Sequence, residues 1–323
     1  MNVIEQHLAT RRSTGLFDFS FMSLVEIEGS GARAFLEHVQ TRSIVALEPR
    51  RIAYTLLLND DATVFIDATL WKHSSERWWL FTGRRSDVDR IRSRAGEFDV
   101  RMRERSDDFA TLALQGPNSG RLLARLVGES LVSSLRYFRF AETYIDQLPV
   151  TIGRLGYSGE LGYEIVVPAG GATAAQRALL DLGAVECGFD AANSLRIESG
   201  YLLFDREVTG NENAVELRLE RLIELDGRNF VGSRAFTPVR RTPPDDVLVG
   251  LEIVDRPASS LPPVARATSE CDSPIFQRRI ALGFAARDVG TGSLVRLTDG
   301  RLAKIARLPF YDPSRQRPRS SPF

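Results

Sequence analysis

Cysteine, histidine and lysine are all scarce in this chain. Its two cysteines, Cys187 and Cys271, are too few for a disulfide scaffold and lack metal-ligand spacing. The three histidines, His7, His38 and His73, are widely scattered, which argues against a zinc site or a Cys–His nucleophile pair. Lys72 and Lys304 are the only lysines; genomic base composition accounts for the arginine bias more simply than any function. A net charge is also missing, with 42 acidic and 42 basic residues, so no broad field attracts nucleic acid or an anionic membrane. No charged-then-apolar leader opens the chain and no apolar run approaches a membrane span. Neither a nucleic-acid nor a membrane partner is expected, and the expected compartment is cytoplasmic.

What remains is an ordinary globule of 323 residues, 43% hydrophobic and 26% charged, long enough for two domains. Leu24-Val25-Glu26-Ile27-Glu28 alternates like a strand, and a helix carrying Ala34, Phe35, Leu36 and Val39 follows Ser30. A strand from Ile52 through Leu58 turns at Asn59-Asp60-Asp61, a hairpin signal without the usual glycine. Val64 to Leu70 is the return strand, and Trp78 to Phe81 a third. Ser86 with Asp89 resembles a capping box, and Asn118 caps a helix with Leu122, Leu123, Leu126 and Val127 on one face. A further helix spans about Thr173 to Leu182 and ends at Gly183. Strands followed by helices, twice over, predict an α+β core, residues 1–236, built from two similar halves. A polar, proline-rich linker covers 237–246. Residues 247–310 show short apolar runs without helical period, which predicts a small antiparallel, barrel-like β domain. The tail, 311–323, is rich in Pro, Ser and Arg and is expected to be disordered.

The most informative stretch runs from Arg154 to Ile165: Arg-Leu-Gly-Tyr-Ser-Gly-Glu-Leu-Gly-Tyr-Glu-Ile. It leaves one apolar strand, turns, and enters another that carries a carboxylate, Glu164. Strand alternation sends Glu164 to the face opposite Tyr163 and Ile165. Two readings stand, an exposed position on a half-buried strand or a buried charge that awaits a partner. Gly156, Gly159 and Gly162 do not form a dinucleotide-binding turn, because the context is strand-turn-strand. Asp67 poses the same choice within Val64-Phe65-Ile66-Asp67-Ala68-Thr69-Leu70: an edge position or a functional group.

Together with this stretch, other blocks recur in a family order: Gly15 to Met22, Tyr54 to Asn59, Phe65 to Trp71, Leu112-Ala113-Leu114-Gln115-Gly116-Pro117, Cys187 to Gly200, and Phe230-Val231-Gly232-Ser233-Arg234. In that order the chain resembles the glycine-cleavage T-protein (aminomethyltransferase) family, over roughly two thirds of its length. The resemblance implies a T-protein-like folate-binding core and tetrahydrofolate as cofactor. It places Asp67 on the family's catalytic aspartate, where a fixed carboxylate would stabilise developing positive charge or accept a proton. It places Glu164 on the pterin, whose ring N–H and exocyclic amine suit a forked carboxylate acceptor. Arg196 becomes a folate contact, including the anionic tail, against the alternative of an ion pair with a neighbouring element. Arg234 is a second candidate for that tail. Tyr54, Trp71 and Tyr157 either pack against the ring or are plain core.

The sequence departs from the family in the turn Asp60-Asp61-Ala62-Thr63, where paired glycines are usual, and in Phe21, where histidine is usual. Asp67 lacks a neighbouring second acid, and Asn213 to Arg218 replaces a proline-led segment. These changes count against a housekeeping subunit that docks a lipoyl carrier protein. Asp226 to Gly232 has no cysteine, which counts against the iron–sulfur-assembly branch. The expected activity is tetrahydrofolate-dependent transfer of an aminomethyl or methyl group from a small donor. A non-catalytic folate-binding protein and a tetrahydrofolate-dependent O- or S-demethylase are the alternatives.

Overall fold

The computed structural model describes residues 1–257 and 263–323, so residues 258–262 of the expected C-terminal domain lie outside the described residues. The chain is α+β. A six-stranded sheet runs in the order Val185–Cys187, Gly15–Asp18, Phe109–Gln115, Gly162–Pro168, Leu148–Gly153, Phe140–Ile145. A five-stranded sheet runs Ile52–Leu58, Val64–Lys72, Arg77–Thr82, Ser23–Glu28, Arg101–Glu104. The strands Asp246–Pro257, Arg278–Ala286, Pro263–Ser273, Leu294–Leu297 and Arg301–Ala306 close a small barrel, whose closure uses one parallel pairing, Pro263–Ser273 with Leu294–Leu297.

Period-two alternation decides what each sheet presents. In the strand Val64–Lys72, Ile66, Ala68 and Leu70 pack against Phe35, Leu36 and Val39 of the helix Ala32–Val39. Asp67, Thr69 and Trp71 therefore take the opposite face. In the strand Gly162–Pro168, Tyr163, Ile165 and Val167 pack with Leu122, Leu123, Ala175 and Leu179 from two covering helices, which leaves Glu164 and Val166 on the other face. The two uncovered faces pack against each other: Leu24, Trp71, Trp79 and Phe81 of one sheet meet Phe140, Leu155 and Val166 of the other. The Trp71 ring lies 5.2 Å from Phe140 and 5.2 Å from Phe81.

The hairpin expected at Asn59 is present, with Asn59 N–H donating to Thr63 O at 2.9 Å. Ala62 takes the left-handed conformation, φ 72°, that a glycine usually supplies. The tail corrects the expectation of disorder. Arg317 pairs with buried Glu160 at 3.4 Å, Arg154 Nη2 donates to the Ser320 carbonyl, and Pro318 is buried. Composition weighs only apolar content, whereas these contacts use core polar groups that lie more than 150 residues away in sequence.

Gly153 sits where the sheets touch, and a Cβ there would stand 2.2 Å from the Trp71 ring. Gly153→Ala is expected to cost about 1–3 kcal/mol through forced displacement of that ring. Denaturant unfolding monitored by tryptophan emission checks this; an unchanged midpoint would contradict it.

Candidate active site

Register partners across the six-stranded sheet form one row: Cys187, Phe17, Ala113, Glu164, Gly153, Phe140. Glu164 stands in the middle of this row, flanked by the two smallest side chains in it, Ala113 and Gly153. It is 8% exposed, and among the described residues no side chain or backbone group hydrogen-bonds its carboxylate. Burial alone raises its pKa to about 7; no neighbouring charge, Asp67 included, contributes. An unpartnered carboxylate is costly in such a place.

Asp67 looks into the same layer from the facing sheet. Tyr54 lies diagonally across the strand pair, with Thr69 opposite Tyr54 and Leu56 opposite Asp67, so its hydroxyl reaches Asp67 and donates to Oδ2 at 2.9 Å. Burial raises Asp67 to about 6, and the Tyr54 hydrogen bond opposes that rise. The Tyr54 phenol itself is pushed well up, first by burial and then by the Asp67 charge. Trp71, two positions beyond Thr69 on the same face, donates from Nε1 to Thr69 Oγ1 at 3.1 Å and closes the layer against Gly153. Tyr157 is close enough for the Asp67 charge to raise its phenol further after burial; its hydroxyl donates to the Leu202 carbonyl.

A tight cleft lined by Phe17, Phe19, Gln115, Tyr157, Ser158, Ala192 and Leu195 adjoins the Tyr157 side of this layer and has no room for a water molecule; Asp67, Glu164, Tyr54 and Trp71 do not line it. Ligand sites commonly offer roughly 300–1,000 Å³, so a bicyclic ligand requires the walls to part. The structure thus brings Asp67, Tyr54, Tyr157, Trp71 and Glu164 to the layer between the two sheets. It places two others elsewhere. Arg196, 1% exposed, is held inside by Asn193 Oδ1 at 2.9 Å, the Tyr201 carbonyl at 3.1 Å, Glu207 at 2.8 Å and Ser269 Oγ at 2.6 Å. The ion-pair alternative is the one its geometry supports, and direct contact with an anionic ligand tail is not, because those bonds leave little donor capacity. Arg234 lies exposed on the helix Ser233–Val239, whose start at Gly232 packs on Leu58 and Asn59, so it does not converge with Glu164.

Sequence reading passed over three features. Gln115 accepts Ser158 Oγ–H at 2.8 Å and donates to the Leu155 carbonyl at 3.3 Å. A Cβ at Gly156 or Gly162 would collide with its amide, which explains two of the glycines in that turn. Tyr201 stacks on Tyr157, with ring centroids 5.8 Å apart and planes 15° from parallel. Arg11 bridges Glu160 at 3.1 Å and Glu198 at 2.8 Å, and binds the Ser158 carbonyl at 2.8 Å. It thereby ties the N-terminal helix to the turn before Glu164. Only the Gln115 block and the clustered glycines gave a local signal.

Residues 1–227 match the GCVT N-terminal domain family. An aminomethyltransferase of Symbiobacterium thermophilum is 31% identical, over 96% of this chain and 89% of that protein. One of Halothermothrix orenii is 29% identical, over 96% and 91%. The crystal structure of the glycine cleavage system aminomethyltransferase T from Bartonella henselae superposes with a TM-score of 0.86 at 27% identity, covering 97% of this chain and 90% of that one.

Two stability outcomes follow from the electrostatics. A carboxyl whose pKa is higher folded than unfolded holds its proton more tightly in the folded chain, so its stabilising effect is complete in acid. That effect is lost as pH rises from 4.5 towards 7 for Glu164. Glu164→Gln is therefore expected to stabilise the free protein by about 1–2 kcal/mol at pH 8 and not at pH 4; equal effects at both would contradict it. Arg196→Ala leaves Glu207 buried without its cation and is expected to cost about 3–5 kcal/mol in the same denaturant assay.

Proposed function

The chain belongs to the GCVT family, the glycine-cleavage T-protein family, and from that premise we propose that it moves the one-carbon unit of an aminomethyl donor to tetrahydrofolate. The observation that carries this reading is Glu164: a buried carboxylate with no internal partner, between Ala113 and Gly153. Its surroundings fit a pterin. Ionised, it accepts two parallel donors, the ring N–H and the exocyclic amine, in a forked pair. Trp71 fills the space above Gly153 on one flank; on the other flank Ala113 is small, and Phe17 and Tyr157 beyond it offer aromatic walls. Bound here, reduced folate supplies the nitrogen that receives the carbon.

Asp67 is the catalytic residue in this reading. Near neutral pH it is ionised, since its pKa is raised only to about 6. The Tyr54 hydroxyl fixes one carboxylate oxygen and leaves the other to face the reacting atoms. A fixed negative charge in a water-poor layer stabilises positive charge as it develops on the transferred group, and it can take up a proton released there. Trp71 excludes water from the closed end. Arg196 and Glu207 act one step removed, by holding the Tyr201 carbonyl and the segment that leads to it. A protein that merely carried folate would have no use for the Asp67–Tyr54 pair, which favours the transferase over the carrier alternative. The aminomethyl donor is chosen over O- or S-methyl donors because the curated relatives are aminomethyltransferases. Assays with small donors and with an aminomethylated lipoyl carrier protein discriminate between donor forms.

Tetrahydrofolate should bind saturably, and Glu164→Gln should weaken binding about tenfold to a hundredfold through loss of the charge-assisted pair. Asp67→Asn should lower turnover about 10²–10⁴-fold with folate affinity intact. Wild-type turnover should rise with pH through about 6 as Asp67 loses its proton. Folate affinity unaffected by Glu164→Gln in calorimetry, or full turnover in Asp67→Asn, would overturn the assignment.

A further inference from the structure

Along its own strand Asp67 has no acidic neighbour, yet a second buried acid stands near it in space. The strand Arg77–Thr82 pairs Thr82 with Ala68, so the chain that leaves at Gly83 starts beside Asp67. Thr82 fixes this exit: its hydroxyl lies 2.7 Å from Ser23 Oγ and donates to the Arg84 carbonyl at 3.0 Å. The turn Arg85–Asp87 then brings Asp87, a buried residue, back to the Arg84 guanidinium. Arg84 holds it in a forked pair, Nε to Oδ2 at 3.2 Å and Nη2 to Oδ1 at 3.1 Å. From Nη1 it donates to the exposed Asp205 at 2.7 Å, and Nη2 reaches the Phe65 carbonyl, two residues before Asp67, at 3.5 Å.

We propose that Arg84 and Asp87 are positioning residues for the reaction: a pair of opposite charges on the loop beside Asp67 that governs when its carboxylate stands ready as an anion. The proposal rests on the assignment of Asp67 as the catalytic residue. A neutral pair at a distance would leave Asp67 unaffected, whereas here each charge registers singly. Burial raises Asp67 and the Tyr54 hydrogen bond opposes the rise; beyond these, Asp87 acts upward and Arg84 downward. Tyr157, from the facing turn, is also within reach of the Asp67 charge. Asp87 itself is raised, first by burial and further by Asp205, against the pull of Arg84 and Arg90. Glu198, the buried acid held by Arg11, is instead lowered despite its burial. Asp87 is therefore a buried charge only partly compensated, a costly arrangement for a loop whose task is packing alone.

The test reads Asp67 in two ways. Carbon-13 NMR follows the free chain labelled at its aspartate carboxyls, with the Asp67 signal identified by its loss in Asp67→Asn. Turnover is followed against pH with tetrahydrofolate and an aminomethylated lipoyl carrier protein. Arg84→Gln should move the Asp67 midpoint up from about 6, by roughly half a pH unit to one, and Asp87→Asn should move it down by a similar amount. Arg84→Lys should stay near the wild type. Arg84→Gln/Asp87→Asn, which removes both charges and so keeps the test open if a single variant fails to fold, should return to it. The acid limb of turnover should follow the same order. Damage to packing alone would displace every variant in one direction. That result, or a midpoint unmoved by either single change, overturns the proposal while leaving Asp67 as the catalytic residue. Midpoints that shift as expected while turnover ignores them, or a wild type without turnover, remove the catalytic reading of Asp67 and this proposal with it.

Discussion

An ionisable carboxyl held without a partner between two apolar-faced sheets is the constraint around which this protein is built. Glu164 gains nothing from its neighbours in the free chain, and its raised pKa measures that cost. The other buried acids are treated differently. Glu207 receives Arg196, Thr268, Ser269 and the Leu203 backbone N–H, and Glu198 receives Arg11 and Ser273, which helps hold its pKa down against burial. A fold able to compensate two buried carboxylates so fully has left a third bare. That contrast, more than the burial itself, marks Glu164 as directed at something outside the chain.

The remaining architecture keeps that carboxylate aimed. Trp71 enters the space above Gly153 and sets the separation of the sheets, so Asp67 and Glu164 face a common layer without perturbing each other. Gln115 holds the turn 156–162, and Arg11 ties the same turn to the N-terminal helix and to the helix Phe189–Glu198. Polar contacts join the barrel to the core, among them Ser269 with Arg196 and Ser273 with Glu198. Buried ion pairs of this kind add little net stability over apolar packing, yet they fix geometry, because moving either member exposes an unpaired charge to a poor solvent.

Much of this was legible in the sequence because it was encoded locally. Alternation in Val64–Lys72 and Gly162–Pro168 was enough to turn Asp67 and Glu164 away from the covered faces, and family order supplied the roles proposed for them. The hairpin at Asn59 was legible although its glycine is missing, since Ala62 tolerates the left-handed backbone at a modest cost. Arg196 was legible only as a choice between two readings. Its partner Glu207 lies 11 residues further on, in an irregular segment with no periodicity to place it, and Ser269 lies on another domain. The tail was misread for the same reason. Its partners Glu160 and Arg154 belong to the core, and no composition rule reports a docking site elsewhere in the chain.

The two carboxylates also divide labour by environment. Asp67 carries a phenolic donor from Tyr54 that stabilises its ionised form, so burial lifts it only to about 6 and it stands ready as an anion. Glu164 has no donor, rises to about 7, and is close to half protonated near neutrality. Donors brought by a ligand favour its ionised form, so the proposed binding at Glu164 would expel a proton from it. The same step restores a fixed negative charge at one end of the layer while Asp67 holds another at the far end. Under the proposed assignment, two acids of similar intrinsic strength are thereby pushed to different tasks, one that answers binding and one already prepared for chemistry.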